Sequence, residues 1–447
     1  MRKLCLALLL ASAAAAAPPG DFRLVILDPG HFHASLIQKD SYPDISPRVA
    51  VYAPLGPGLL DYMSRVALFN DRAESPTRWE LDVHTGPDFL ARMLRERPGN
   101  VAVFAGRNRA KIGRILQCLE AGYHIFADKP WIIVPEDLPK LASALDTAER
   151  KNLAAYDIMT ERYEITSILQ KEIVNAPEVF GTLEPGTPSE PGVKARSVHQ
   201  IMKLVAGVPL RRPAWFFDVE DQGEGLSDVG THVVDLVQWT VFPTRALDYH
   251  RDVRMLGARH WPIQIDEAQF RQVTGEGFPR ELAGVVKNSK LDYYCNNMVR
   301  YAVAGVHVEL EILWNWEARE GGDIYEATFR GTRANTQIRQ GAPEKFRPEL
   351  YIVPSPGADA EVMAALRKKI DSWQSTFPGV GMEMRGNAAH ITVPEKLRVS
   401  HEAHFAQVAN RYLTYLRNPK SMPAWEKSNM LVKYYISTKG VDMSRSR

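Results

Sequence analysis

Between Val101 and Trp131 the chain reads as strand, helix, strand and charged turn in direct succession, an order that commits it to a parallel α/β sheet. Val101 to Ala105 is a short run of apolar and β-branched residues. Asn108 is placed to cap a helix on which Ile112, Ile115, Leu116 and Leu119 recur at helical spacing, and Gly122 stops it. A second apolar run, His124 to Ala127, leads straight into Asp128, Lys129, Pro130 and Trp131. In an open α/β sheet, ligands sit outside the carboxyl ends of the strands, which is where this turn falls. Pro130 fixes its own φ and biases Lys129 toward extended backbone, so the amine is aimed.

The same alternation begins at Leu24. Leu24–Leu27, Val49–Tyr52, Leu81–Val83 and Leu153–Tyr156 read as buried strands. Helical faces lie between them at Ala34–Gln38, at Leu59, Tyr62, Met63 and Val66, at Phe89, Met93 and Leu94, and at Leu138, Leu141, Ala142 and Leu145. Past Glu161 the pattern changes, and strands cluster between Arg251 and Tyr351 with few helices among them. A helix around His401 to Leu416 is expected to pack back on the body. The expected fold is α/β: a Rossmann-like domain over 21–158, then an α+β domain over 159–447 with an open, largely antiparallel sheet.

The first twenty residues stand apart. Arg2 and Lys3, then Leu4 to Leu10, then Ala11 to Ala17 follow the order of a secretory signal peptide, and Pro18, Pro19 and Gly20 cut it off. The apolar run is too short to span a membrane. A cleaved signal over 1–20 and a periplasmic or secreted protein are the expectation. The net charge of +2 gives no footprint for nucleic acid or an anionic membrane. Of the cysteines that would remain, Cys118 reads as a small buried hydrophobe, and neither it nor Cys295 has a spacing that specifies a disulfide or a zinc site.

Two constellations carry chemistry. Directly after the first strand comes Asp28-Pro29-Gly30-His31-Phe32-His33, where a dinucleotide-binding turn has Gly-x-Gly-x-x-Gly. Gly30 keeps the middle glycine; Asp28 and His33 replace the outer two. Asp28 puts negative charge beside a pyrophosphate, with His31 or His33 available to offset it. The alternative is a tight strand-to-helix turn capped by Asp28. After the second strand stands Val51-Tyr52-Ala53-Pro54, without the acidic residue that holds a ribose. The second constellation follows Gly223-Glu224-Gly225: Asp228, His232 and Asp235 fall at i, i+4 and i+7, one face of a helix. A carboxylate one turn from a histidine can orient the imidazole for acid–base work.

These segments resemble the Gfo/Idh/MocA family of NAD(P)-dependent oxidoreductases, with Asp128-Lys129-Pro130 in place of its Glu-Lys-Pro turn and Asp228-x-x-x-His232 matching its Asp-x-x-x-His element. The resemblance is clear over 101–131 and 223–239, and the remainder looks like a divergent, exported branch. It implies Lys129, Asp228 and His232 as the catalytic group around a reacting sugar carbon, and NAD or NADP as cofactor, which an exported protein would have to hold tightly. Gly30, His31, Phe32, Gly106, Asn108, Asp128 and Lys129 are the candidate cofactor residues, and Arg162, Asp228 and His232 the candidate substrate residues. Arg107 either contacts phosphate or is solvated, and Arg162 either holds a substrate hydroxyl or carboxylate or makes an interdomain salt bridge. Val308, Leu310, Ile312, Trp314 and Trp316 share one strand face, and the two tryptophans read as core or interface before sugar platform.

The function this implies is hydride transfer at a carbinol carbon of a sugar or sugar derivative, in a homo-oligomer with no metal, nucleic-acid or membrane partner. Two alternatives stand beside it. One is an NAD-dependent glycosidase working by transient oxidation, elimination and water addition. The other is a carbohydrate-binding protein with a degenerate cofactor site.

Overall fold

The computed structural model describes residues 22–205, 208–318 and 321–446, so the signal-like segment lies outside the described residues. Six strands form the first sheet: β1 (Leu24–Leu27), β2 (Arg48–Ala53), β3 (Glu80–Thr85), β4 (Val101–Phe104), β5 (His124–Asp128) and β6 (Ala155–Ile158). They are all parallel, in the order β3-β2-β1-β4-β5-β6. β1 and β4 are buried on both faces, which is why they read as continuous apolar runs rather than alternating ones. The order reverses between β1 and β4, and the crevice at that point is where such sheets take their ligands.

The connecting helices are α1 (His33–Leu36), α2 (Pro57–Asp71), α3 (Phe89–Glu96), α4 (Lys111–Glu120) and α5 (Leu138–Arg150). On α4, Ile112, Ile115 and Leu119 face the core as their spacing requires, and Gly122 ends the segment at φ 87°. Asn108 is not its cap. The helix starts after Ala110, and Asn108 serves a different purpose described below. Nor does Asp28 cap α1, which follows Phe32 with no side-chain cap.

The second sheet has ten strands. Its path runs Val253–Asp266, Lys290–Val303, Val306–Glu317, β7 (Val193–Met202), Ile324–Arg330, Ala334–Gln340, Glu349–Pro354, Ala388–Thr392 and Gly381–Arg385, with Val286–Lys287 added at the second of these. Only β7 against Val306–Glu317 is a parallel pair. One face is apolar: Val308, Leu310, Ile312 and Trp314 alternate inward, while Glu309 and Glu311 on the other face pair with Lys194 and Arg196. Trp314 is thus a core residue, as packing against Phe216 and Arg212 also indicates.

Two C-terminal helices, which the sequence reading assigns to the second domain, pack on the first. His401–Arg417 lays Phe405, Val408, Tyr412 and Leu416 on the parallel sheet, with Tyr412 stacked on Phe126 at 4.4 Å. The helix Ala424–Arg445 seats Met430 and Tyr434 in the first domain's core, and Val432, Ile436 and Val441 in the second's. One rigid element therefore belongs to both cores and holds the domains together. Cys118 and Cys295 are buried and unpaired.

Candidate active site

The glycine turn after β1 is built by close backbone approach. Asp28 sits at φ 48°, the Gly30 amide donates to the Asp28 carbonyl at 2.8 Å, and the His31 amide to the Ala105 carbonyl at 3.0 Å. A Cβ at position 106 would lie 2.3 Å from the Asp28 carbonyl oxygen, so the two loops meet only because Gly106 has no side chain. A Cβ at position 30 would lie 3.2 Å from the indole of Trp215, a second-domain residue closing over the turn. Gly30, His31, Phe32, Pro57, Gly58 and Asp61 form one wall of a cleft of about 210 Å³, and Arg211, Arg212, Pro213 and Phe216 form the other.

The histidines do not offset Asp28. That carboxylate is taken by Arg114 at 2.7 Å, while His33 and His31 face Asp128 at the end of β5, at 2.9 and 3.5 Å. Burial would raise the Asp128 carboxyl, but His33 and His31 overrule it and hold it well below its usual range. Asp128 is therefore committed to the histidine pair before any cofactor approaches.

Lys129 is the best-defined member. Its Nζ lies 2.5 Å from Oδ1 of Asp228, and both side chains are buried. Burial pulls the ammonium pKa down, yet the charges of Asp228 and Asp128 hold it above its usual value; burial likewise raises the Asp228 carboxyl, and Lys129 brings it below normal. Asp228 does not orient His232. It lies in the turn before the helix Gly230–Val241 rather than on that helix, because Asp228 and Thr231 close the turn through the Asp228 carbonyl. His232 sits one turn along with its Nδ1 buried and unpartnered among the described residues. Burial, then the charge of Lys129, lowers its pKa to about 3, so the resting imidazole is neutral.

Arg162 takes the salt-bridge alternative. It donates Nε and Nη2 to Asp235 at 2.6 and 2.7 Å, and Nη1 to Glu426 at 2.9 and 3.0 Å. Lys433 joins this buried network, 2.8 Å from Asp157 and 3.3 Å from Asp235. Asp235, the third member of the proposed helix face, is thus structural. Arg107 pairs with Asp221 at 2.5 Å, and Asn108 donates to the carbonyl and side chain of Gln222. The turn after β4 therefore clamps the second domain.

Sequence reasoning missed several contributors. Lys111, fully buried, donates to Asn108 and to the carbonyls of Asp128 and Pro130, bracing the turn that carries Lys129. Glu161 and His401 lie 3.4 Å apart next to His232. Only the strand after which Glu161 falls, and the histidines at 401 and 404, hinted at that group.

Comparison with known proteins bears on this arrangement. The family described as "Putative oxidoreductase C terminal domain" matches residues 169–445. The chain belongs to this oxidoreductase family. A solved structure described as a "putative oxidoreductase" from Parabacteroides merdae is similar to this oxidoreductase at 42% identity over 96% of this chain and 98% of that one, with a TM-score of 0.93. More distant likenesses show the same fold. KijD10, a 3-ketoreductase from Actinomadura kijaniata solved as a point mutant with TDP-benzene and NADP, is 13% identical over 95% and 98% of the two chains at a TM-score of 0.57. GenD2 from gentamicin A biosynthesis, solved with NAD, is 13% identical over 97% of each at 0.57. No curated protein sequence matches significantly. Among the described residues no helix is long and apolar enough to cross a membrane.

Proposed function

We propose that this oxidoreductase transfers hydride between a nicotinamide cofactor and a carbinol carbon of a sugar derivative in the cleft between its domains. The observation that carries the reading is the Lys129–Asp228 pair, which joins the end of β5 to the second domain beside a neutral His232. KijD10 and GenD2 share the fold and were solved with NADP and NAD, which supports the cofactor class.

The turn fits a dinucleotide in the cleft beside Gly30 and in the amides of Phe32 and His33, which no carbonyl takes among the described residues. Gly30, His31 and Phe32 would then hold the pyrophosphate, and Asp61, in the same cleft wall, is the carboxylate nearest in kind to the ribose ligand missing after β2. Bound there, the nicotinamide supplies a hydride acceptor. His232, neutral at rest, takes the hydroxyl proton. Lys129, held charged by Asp228, donates to the same oxygen and stabilises charge as the carbonyl forms. Asp228 positions Lys129 and offers its other oxygen to a neighbouring hydroxyl.

The basic, apolar and small-residue order of the first twenty residues supports export, and a tightly held cofactor suits a compartment without a nicotinamide pool. Two measurements test the reading. Mass spectrometry of the denatured native protein should find a stoichiometric nicotinamide nucleotide, and N-terminal sequencing should find a start between Ala14 and Asp21. Absence of any nucleotide, with none bound on addition, would sink the redox reading; sugar release without net cofactor reduction would favour the glycosidase chemistry instead.

A further inference from the structure

We propose that His31, His33 and Asp128 form a site for one first-row divalent transition-metal ion, with open coordination positions facing the interdomain cleft. The tight turn after β1 presents two histidines two residues apart, and the last residue of β5 presents a carboxylate to both. His33 Nδ1 and His31 Nδ1 lie 2.9 and 3.5 Å from the same Oδ2 of Asp128, and all three ligand atoms fall within 4.8 Å of one another. A tetrahedral ion with bonds of ~2.0 Å spaces its ligand atoms roughly 3.3 Å apart, and the two histidine–carboxylate separations bracket that value. The two imidazoles meet edge to face, 4.1 Å between centroids and 80° between planes.

A second observation points to a missing ligand. His31 Nδ1 is buried and meets only the Asp128 carboxylate, at 3.5 Å and without hydrogen-bond geometry, a loose contact for a buried ring nitrogen. Two imidazole nitrogens and one carboxylate oxygen suit zinc or its neighbours, and three protein ligands leave room for exogenous oxygen. Neighbouring ammonium groups do not compete for the carboxylate. Lys129 is paired with Asp228, and Lys111 donates to Asn108 and to the carbonyls of Asp128 and Pro130. The ring of His33 packs on Phe405 at 4.7 Å, which fixes its orientation as a ligand's must be fixed. His31 lines the cleft, so the ion would meet oxygen atoms of whatever binds there. The site stands on these side chains alone and does not depend on the nicotinamide reading.

The test uses the full-length protein stripped with chelator and titrated with Zn2+ against a chromophoric competitor, with thermal unfolding alongside. One ion per chain at submicromolar Kd and a rise in Tm are expected. His31→Ala, a change at a partly exposed turn position, should weaken Zn2+ by roughly 100-fold or more and abolish the Tm rise, as should Asp128→Asn. Visible absorption of the Co2+ form should report nitrogen ligation in the parent and lose it in His31→Ala. No saturable binding in the micromolar range, or equal affinity in a folded His31→Ala variant, would overturn the proposal. Nicotinamide binding to the metal-free protein is measured separately, so either reading can fail alone.

Discussion

Lys129 and Asp228 stand 99 residues apart in sequence and 2.5 Å apart in space, a buried ion pair that spans the two domains. Neither charge is stable in that setting without the other, since an unpaired buried ion costs several kcal/mol. The pair therefore sets the protonation state of the cleft.

That state is testable through pH. Asp228 holds the Lys129 ammonium above its ordinary pKa, so Asp228→Asn should move the alkaline limb of kcat/KM to lower pH, where the lysine now deprotonates. Lys129→Ala and His232→Ala should each slow single turnover by ~100-fold or more, and the double variant should be little worse than the poorer single. Near-normal rates in folded His232→Ala would make that histidine structural.

Arg162 should behave as a strut. Arg162→Met leaves Asp235 and Glu426 short of their partner, at a cost of about 3–5 kcal/mol in chemical denaturation. Ligand affinity of the folded fraction should stay unchanged. A raised KM with undiminished stability would restore the substrate role.

At Gly30 a Cβ would press on the indole of Trp215 at 3.2 Å, and a branched side chain would crowd it further. Gly30→Val should abolish nucleotide binding, read by fluorescence titration, while circular dichroism shows an intact fold. Unchanged affinity in the folded variant would favour the binding-protein alternative.

His124 supplies an acid-stability prediction. Its Nδ1 accepts the Ala154 amide at 2.9 Å, which requires a neutral ring, and burial lowers its pKa from 6.5 to about 4. The folded chain thus binds fewer protons than the unfolded one between these values. The contribution is complete above pH 6.5 and is lost as pH falls through 4, up to roughly 3 kcal/mol. His124→Asn, whose Oδ1 can accept the same amide, should match the parent Tm near pH 7.5 and lose less of it by pH 4.5.

What the sequence determined by itself is local. Apolar spacing along β1, β4, β5 and α4 is a property of neighbouring residues, and so is the aim of Lys129 at a strand end; the oxidoreductase resemblance rests on two such short segments. Partners were decided only by tertiary structure. Asn108 in a loop looks like a cap until Gln222 is brought to it, His31 and His33 look available to Asp28 until β5 delivers Asp128, and Arg162 meets Glu426 across 264 residues. The reason is physical: burial is written in periodicity, whereas a buried charge or hydrogen-bonding group takes whichever partner chain closure sets beside it, and no local pattern names that partner.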